Sequence, residues 1–157
     1  MQPFAHVFDA DVQEANTWIK EINARLHVND LHAARRVLRA VLHALRDRIG
    51  PAHATHLAAQ LPLIVRGLYY EAWHANRAAT TEQTRAEFLR HVADCMGRGL
   101  LVHPATAVDA VLHTMWNNLD PGEVAKLKAL LPVEIAALWP TRPDMIDAAS
   151  EQIESID

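Results

Sequence analysis

The chain has 157 residues, enough for one domain with a substantial hydrophobic core. Its net charge of −4 disfavours nucleic acid as the main partner, and its single cysteine, Cys95, excludes an intrachain disulfide and a four-cysteine zinc site. The first residues lack the basic and apolar segments of a secretory signal, and no apolar run approaches the ~20 residues of a membrane span. We therefore expect a cytoplasmic protein without membrane insertion.

The first half of the chain predicts four helices. Apolar residues at helical spacing, beginning with Val12, predict a helix over about residues 11–27. A second helix is predicted over about 31–48, with Asn29-Asp30 as its cap, Leu31 on its apolar face and Gly50 ending it in the left-handed conformation. Prolines at positions 51 and 62 predict the starts of the third and fourth helices.

The second half shows the same order of signals. Thr80 or Thr81 is the expected cap of a helix that ends near Gly97, and Pro104 opens the next one. The sequence Asp120-Pro121-Gly122-Glu123 has the form of a capping box. The acidic segment over about residues 141–157 predicts either a short amphipathic helix or a frayed tail.

The chain matches itself without a gap at an offset of 70 residues. Residues 40–69 and 110–139 share ten identical positions in 30, including both Leu-Pro pairs. No segment alternates like a strand, so the expected fold is all-α: two tandem four-helix units in one pseudo-two-fold bundle. Repeat one covers about 11–80 and repeat two about 81–150 of a single domain over 1–157. Fusion of a symmetric homodimer would produce such an axis.

Several motifs resemble those of the DUF2267 family of bacterial proteins. They are NTWIKEINARL (residues 16–26), LRAVLHALRDRIG (38–50), AAQLPLIVRGLYYEAW (58–73), EFLRHV (87–92) and GEVAKLKALLPVEIAALWP (122–140). The resemblance covers about residues 7–140. It implies a small helical domain of unknown function and a bacterial source, and it supplies no catalytic residues.

The predicted second helix has a basic stripe that the second copy lacks. Guanidinium groups along such a stripe can pair with phosphate oxygens, which makes it a candidate polyanion site. The simpler interpretation is a solvated face satisfied by nearby acids, and a third is docking of the acidic tail. His43 recurs in the second copy as His113, and the helical wheel places both on the outer face. The stripe and its flanking residues are His32, Arg35, Arg36, Arg39, His43 and Arg46.

The motif AAQLPLIVRGLYYEAW combines repeated and unrepeated residues. Leu61, Pro62, Val65, Leu68 and Tyr69 have like partners 70 residues later, which predicts a structural role. Four residues lack such partners and should lie on one face, where they either anchor the two copies to each other or meet a partner protein. Arg66, Gly67, Tyr70 and Trp73 are these partner-binding candidates.

Metal and catalytic signals are weak. His53 and His56 share a helical face, but a stable zinc site needs a third ligand and usually a fourth. Cys95 has His91 four residues earlier, yet no third orienting group is visible, so a packing role is favoured for the cysteine. We expect neither a cofactor nor a catalytic constellation.

The sequence therefore predicts a non-enzymatic helical scaffold that associates with itself or with a protein partner. Binding of nucleic acid or another polyanion through the second helix is the alternative. Binding of a small molecule or a metal between the repeats is the third.

Overall fold

The computed structural model describes residues 6–141, which contain eight α-helices and no strand. No helix in this range is long and apolar enough to cross a membrane. The predicted acidic tail lies outside the described residues, apart from its first position. The helices are α1 (Asp9–Leu26), α2 (Leu31–Ile49), α3 (Pro51–Gln60), α4 (Leu63–Tyr70), α5 (Arg85–Met96), α6 (Pro104–Asn118), α7 (Pro121–Ala129) and α8 (Val133–Ala136).

Local signals set the helix ends in the first half. Asp30 caps α2 by accepting hydrogen bonds from the backbone N–H groups of His32 and Ala33. Gly50 ends α2 with φ +82°, but its ψ of 169° is extended, so the predicted left-handed conformation is wrong. The reason is that Gly50 also serves as the N-cap of α3, and an extended ψ turns the chain directly into Pro51.

One of the helix caps predicted for the second half is wrong. Thr84, and not Thr80 or Thr81, caps α5, because its hydroxyl accepts the backbone N–H of Glu87 at 3.1 Å. Residues 80–83 instead cross the end of α2, where the Thr80 N–H donates to the backbone oxygen of Asp47. Asp120 caps α7 as predicted.

Helix α2 lies at the centre of the packing. It contacts α1, α3 and α4 of the first half and α5 and α6 of the second, while α1 also packs on α6. Buried apolar residues from both halves form one continuous core that includes Trp18, Phe88, Met115 and Trp139. The two halves therefore share their hydrophobic interior.

Two apolar residues predicted to face the core are exposed. Leu31 and Val12 are 52% and 43% exposed. Both lie in the first turns of their helices, ahead of the segments that the neighbouring helices cover, since the first buried residues are Ala33 in α2 and Trp18 in α1. Helical periodicity predicts the face of a residue but not whether a neighbour reaches it.

Candidate functional site

Two members of the predicted basic stripe are buried rather than on the surface. His43 is 6% exposed and its Nε2–H donates to the backbone oxygen of Leu68 at 2.8 Å, so its predicted outer-face position is wrong. Arg46 is 3% exposed and donates to the backbone oxygens of Tyr69 and Glu71. The reason is that α4 packs on this side of α2, and its last carbonyl groups need donors. Burial is the main cause that lowers the pKa of His43.

The more exposed arginines of the stripe also have partners within the chain. Arg36 donates to the backbone oxygens of Met96 and Arg98 at 2.8 and 3.0 Å, at the C-terminal end of α5. Arg39 forms a hydrogen-bonded ion pair with Glu71, and this bond is the main cause that lowers the pKa of Glu71. The guanidinium of Arg35 lies 3.9 Å from the same carboxylate. His32 is exposed at the first turn of α2. These contacts favour a structural role for the stripe over phosphate binding.

Arg66 contacts its own half of the chain. Its Nε donates to the backbone oxygen of Ala58 and its guanidinium also donates to that of Leu61, both at 2.9 Å. These carbonyl groups lie at the C-terminal end of α3, where the Ala58 oxygen also accepts the backbone N–H of Leu61 at 3.1 Å. Arg66 therefore bonds to a helix end within the first copy, whereas one of its two predicted roles was a contact between the copies.

The aromatic residues of the same motif form a stack on the first half. The Tyr69 hydroxyl is buried and donates to the backbone oxygen of Ala54 at 2.6 Å, and burial raises its pKa. Its ring meets that of Tyr70 edge to face at 5.2 Å between centroids, and Tyr70 lies 5.3 Å from Trp73. Tyr70 and Trp73 are both half-buried, so each keeps one accessible side.

Gly67 lies on an exposed face of α4. A Cβ atom built there meets no atom of the described residues within 4 Å apart from its own helix and its chain neighbours. Leu63 and Ile64, four and three residues earlier on the same face, are 51% and 39% exposed. Gly67 is among the partner-binding candidates predicted from the sequence, but Leu63 and Ile64 are not. We call Leu63, Ile64 and Gly67 the α4 face.

His53 and His56 lie on the rim of a groove between α3 and α7. Ile49, Leu57 and Leu127 contribute its apolar lining, and its volume is about 390 Å³. Within residues 6–141, no three His, Cys, Asp or Glu side chains are placed to hold a metal ion. The fold therefore places both histidines at one groove, but among the described residues no third metal ligand joins them.

A charged cluster joins α2 to α5 and was missed by the sequence reading. His91 Nε2 lies 3.5 Å from Asp47 Oδ2, and His91 Nδ1 lies 2.7 Å from Glu82 Oε1 in a contact without hydrogen-bond alignment. Arg46 Nε donates to Asp47 at 3.1 Å. The one signal that could have indicated the cluster is that Asp47 is the single acid among residues 31–48.

The pKa of His91 is raised well above the usual value for histidine. Its contact with Asp47, followed by that with Cys95, raises its pKa to about 10 against the opposing effect of burial. Burial acts to raise the pKa of Asp47, but the contacts with His91 and Arg46 outweigh it and lower that pKa. A histidine that keeps its proton at pH 7 cannot act as a general base toward Cys95.

The helix order and the Leu-Pro junctions at the starts of α4 and α8 lead to the family assignment. The family model described as "Uncharacterized conserved protein (DUF2267)" matches residues 15–138. The chain belongs to the DUF2267 family. The DUF2267 match covers all of α2 to α8 and most of α1, so the helices that carry the α4 face, the groove and the charged cluster all lie in the family's shared region. No curated protein matches the sequence.

Proposed function

We propose that this DUF2267 protein is a non-enzymatic helical module that associates with a second copy of itself through the α4 face. The observation that carries the proposal is the open space above Gly67 beside two exposed apolar side chains. An exposed apolar patch on a small domain is typical of an association surface. The single cysteine supports a reducing compartment such as the cytoplasm for this role.

The presence of glycine at position 67 needs an explanation outside the described chain. Glycine within a helix costs about 1 kcal/mol relative to alanine. No contact within residues 6–141 requires glycine at this position, because a Cβ atom built there would meet open space. Glycine allows a second backbone to approach closely, and two copies meeting through the same face would form an isologous dimer. The equivalent position in the second half is Ala137, which lacks this feature.

We further propose that the bundle itself arose by fusion of an ancestral symmetric homodimer, each half of the chain corresponding to one subunit. The contact of α1 with α6 has a counterpart in that of α5 with α2, and the contact of α1 with α4 has one in that of α5 with α8. The first residues of α3 and α4 are each 70 positions before those of α7 and α8. These correspondences support a pseudo-two-fold axis near the contact of α2 with α6.

Substitution of Gly67 tests the association role. Gly67→Arg introduces a charged side chain into the contact, so we expect sedimentation equilibrium to show a dimer for the wild type and a monomer for this variant. The folded monomer should tolerate the arginine, because the site is open. Gly67→Ala should raise the stability of the monomer by about 0.5–1 kcal/mol, as expected for removal of a helical glycine.

The matched control is Ala137→Arg, an exposed position 70 residues later. It should leave the dimer intact while changing the charge by the same amount. A wild-type chain that stays monomeric at millimolar concentration, or a dimer that survives Gly67→Arg, would refute the proposal.

A further inference from the structure

A second groove lies on the far half of the molecule. It is formed by the end of α6, the outer side of α7 and α8, and its volume is about 700 Å³. Trp116 contributes one wall, and the small side chains of Ala125, Ala129 and Ala136 leave the space open. Lys128 Nζ lies 5.7 Å from the centre of the Trp116 ring. The groove is thus mainly apolar with a positive charge at its edge.

The first half shows what covers the corresponding surface there. At the offset of 70 residues, Trp116 and Pro121 of the groove correspond to Arg46 and Pro51. These two line a small cavity together with residues from 73–78, in the segment that follows α4. Arg46 is covered there and is bonded to the backbone of the same segment. The chain that leaves the fourth helix of the first half therefore returns over this surface.

The fourth helices differ in how they fill the neighbouring space. In the first half the side chain of Arg66 extends from α4 to the carbonyl groups at the end of α3. Its counterpart in α8 is Ala136, which lines the groove and cannot reach the end of α7. The second half therefore has more room for a covering segment than the first.

Residues 142–157 are the segment that follows α8. Met145 comes nine residues after Ala136, a distance that an extended chain spans easily at ~3.3 Å per residue. The segment carries apolar side chains for an apolar groove and five carboxylates that complement Lys128. These residues are Met145, Ile146, Ile153 and Ile156, and Asp144, Asp147, Glu151, Glu154 and Asp157.

We infer that residues 142–157 dock in the groove formed by α6, α7 and α8 of their own chain. The apolar side chains cover Ala125 and Ala129, and the carboxylates lie near Lys128. This position replaces the basic stripe of α2 as the binding surface for the acidic segment, because the guanidinium groups of that stripe already have partners.

Disulfide trapping in the full chain tests the inference. Ala129→Cys and Met145→Cys are combined with Cys95→Ala, so that two cysteines remain. Docking would bring their Cα atoms toward the roughly 4.4–6.8 Å that a disulfide requires. Under mild oxidation we expect an intramolecular disulfide, identified by mass spectrometry, to form at least tenfold faster than in the control. Adding Lys128→Glu should slow it. Ala125→Cys provides a second position on α7.

The control places the first cysteine at Ala59, which is exposed at the end of α3 and corresponds to Ala129. Ala59→Cys with Met145→Cys should form the intramolecular disulfide slowly. Equal rates at the two positions would overturn the inference, because the segment would then have no preference for this groove. Cross-linked dimers without an intramolecular product would also overturn it, since the groove would then hold the segment of a second copy.

Discussion

At the scale of single residues, His91 is the side chain with the clearest electrostatic role. It faces Asp47 from α2, Glu82 from the segment between the halves, and Cys95 from its own helix. Arg46 Nε contacts the other oxygen of the same carboxylate, Asp47 Oδ1, at 3.1 Å. The protonated imidazole is therefore part of what holds α5 against α2.

Stability should decrease with rising pH because of His91. Its pKa is about 10 in the folded chain and about 6.5 when unfolded, so the native state binds more protons between these values. The stabilisation is complete below pH ~6.5 and is lost as pH rises through 10, with a slope of at most ~1.4 kcal/mol per pH unit for one proton. Urea unfolding at several pH values measures the slope, which should disappear in His91→Gln.

The control for this experiment is His113→Gln, which removes a histidine of α6 outside the cluster. It should keep the slope of the wild type. An unchanged slope in His91→Gln would exclude this account. Asp47 acts at lower pH, where its lowered pKa makes stability fall as the carboxylate becomes protonated.

At the scale of helices, arginine and histidine side chains donate hydrogen bonds to backbone oxygens at the C-terminal ends of three helices. Arg66 donates to the end of α3, Arg46 and His43 donate to the end of α4, and Arg36 donates to the end of α5. The last carbonyl groups of a helix have no intrahelical donor, and a cation also interacts favourably with the helix dipole there. The arginines of this chain thus connect short helices to their neighbours.

Removing the cap of α3 should destabilise the fold. Arg66→Ala removes the side-chain hydrogen bonds to the carbonyl groups of Ala58 and Leu61, at an expected cost of about 1–3 kcal/mol. Arg66→Met retains most of the aliphatic stem and separates loss of hydrogen bonds from loss of packing. Chemical denaturation measures both. The exposed Arg90→Ala on α5 is the control, and a cost for Arg66→Met no larger than that for Arg90→Ala would contradict the capping role.

At the scale of the whole molecule, the two halves share one hydrophobic core. α1 packs on α6 and α2 packs on α5, so the first two helices of each half cover those of the other. Neither half can be separated without exposing buried residues such as Ile22 and Val111. The molecule should therefore unfold as one unit.

Native-state hydrogen exchange in urea tests this cooperativity. The slowest amides of α2 and α6 should show the same free energy of opening and the same dependence on urea, because both helices lose their packing in one transition. Two distinct free energies would indicate halves that unfold independently. Short α8, at the edge of the bundle, should open at lower cost.

The sequence by itself determined most helix starts and ends and the all-α class. These features depend on local chemistry: Asp30 and Asp120 accept nearby N–H groups, and Pro51, Pro104 and Pro121 are the first residues of their helices. The internal repeat likewise identified core residues such as Leu61 and Val65.

Only the tertiary structure decided which polar residues are surface and which are interior. His43 and Arg46 are buried because carbonyl groups more than 20 residues later in the chain come to rest beside them. The α4 face stays open because no described helix packs over Gly67. A helical pattern specifies the direction of a side chain relative to its own axis, whereas burial depends on the placement of the other helices, which is a property of the assembled fold.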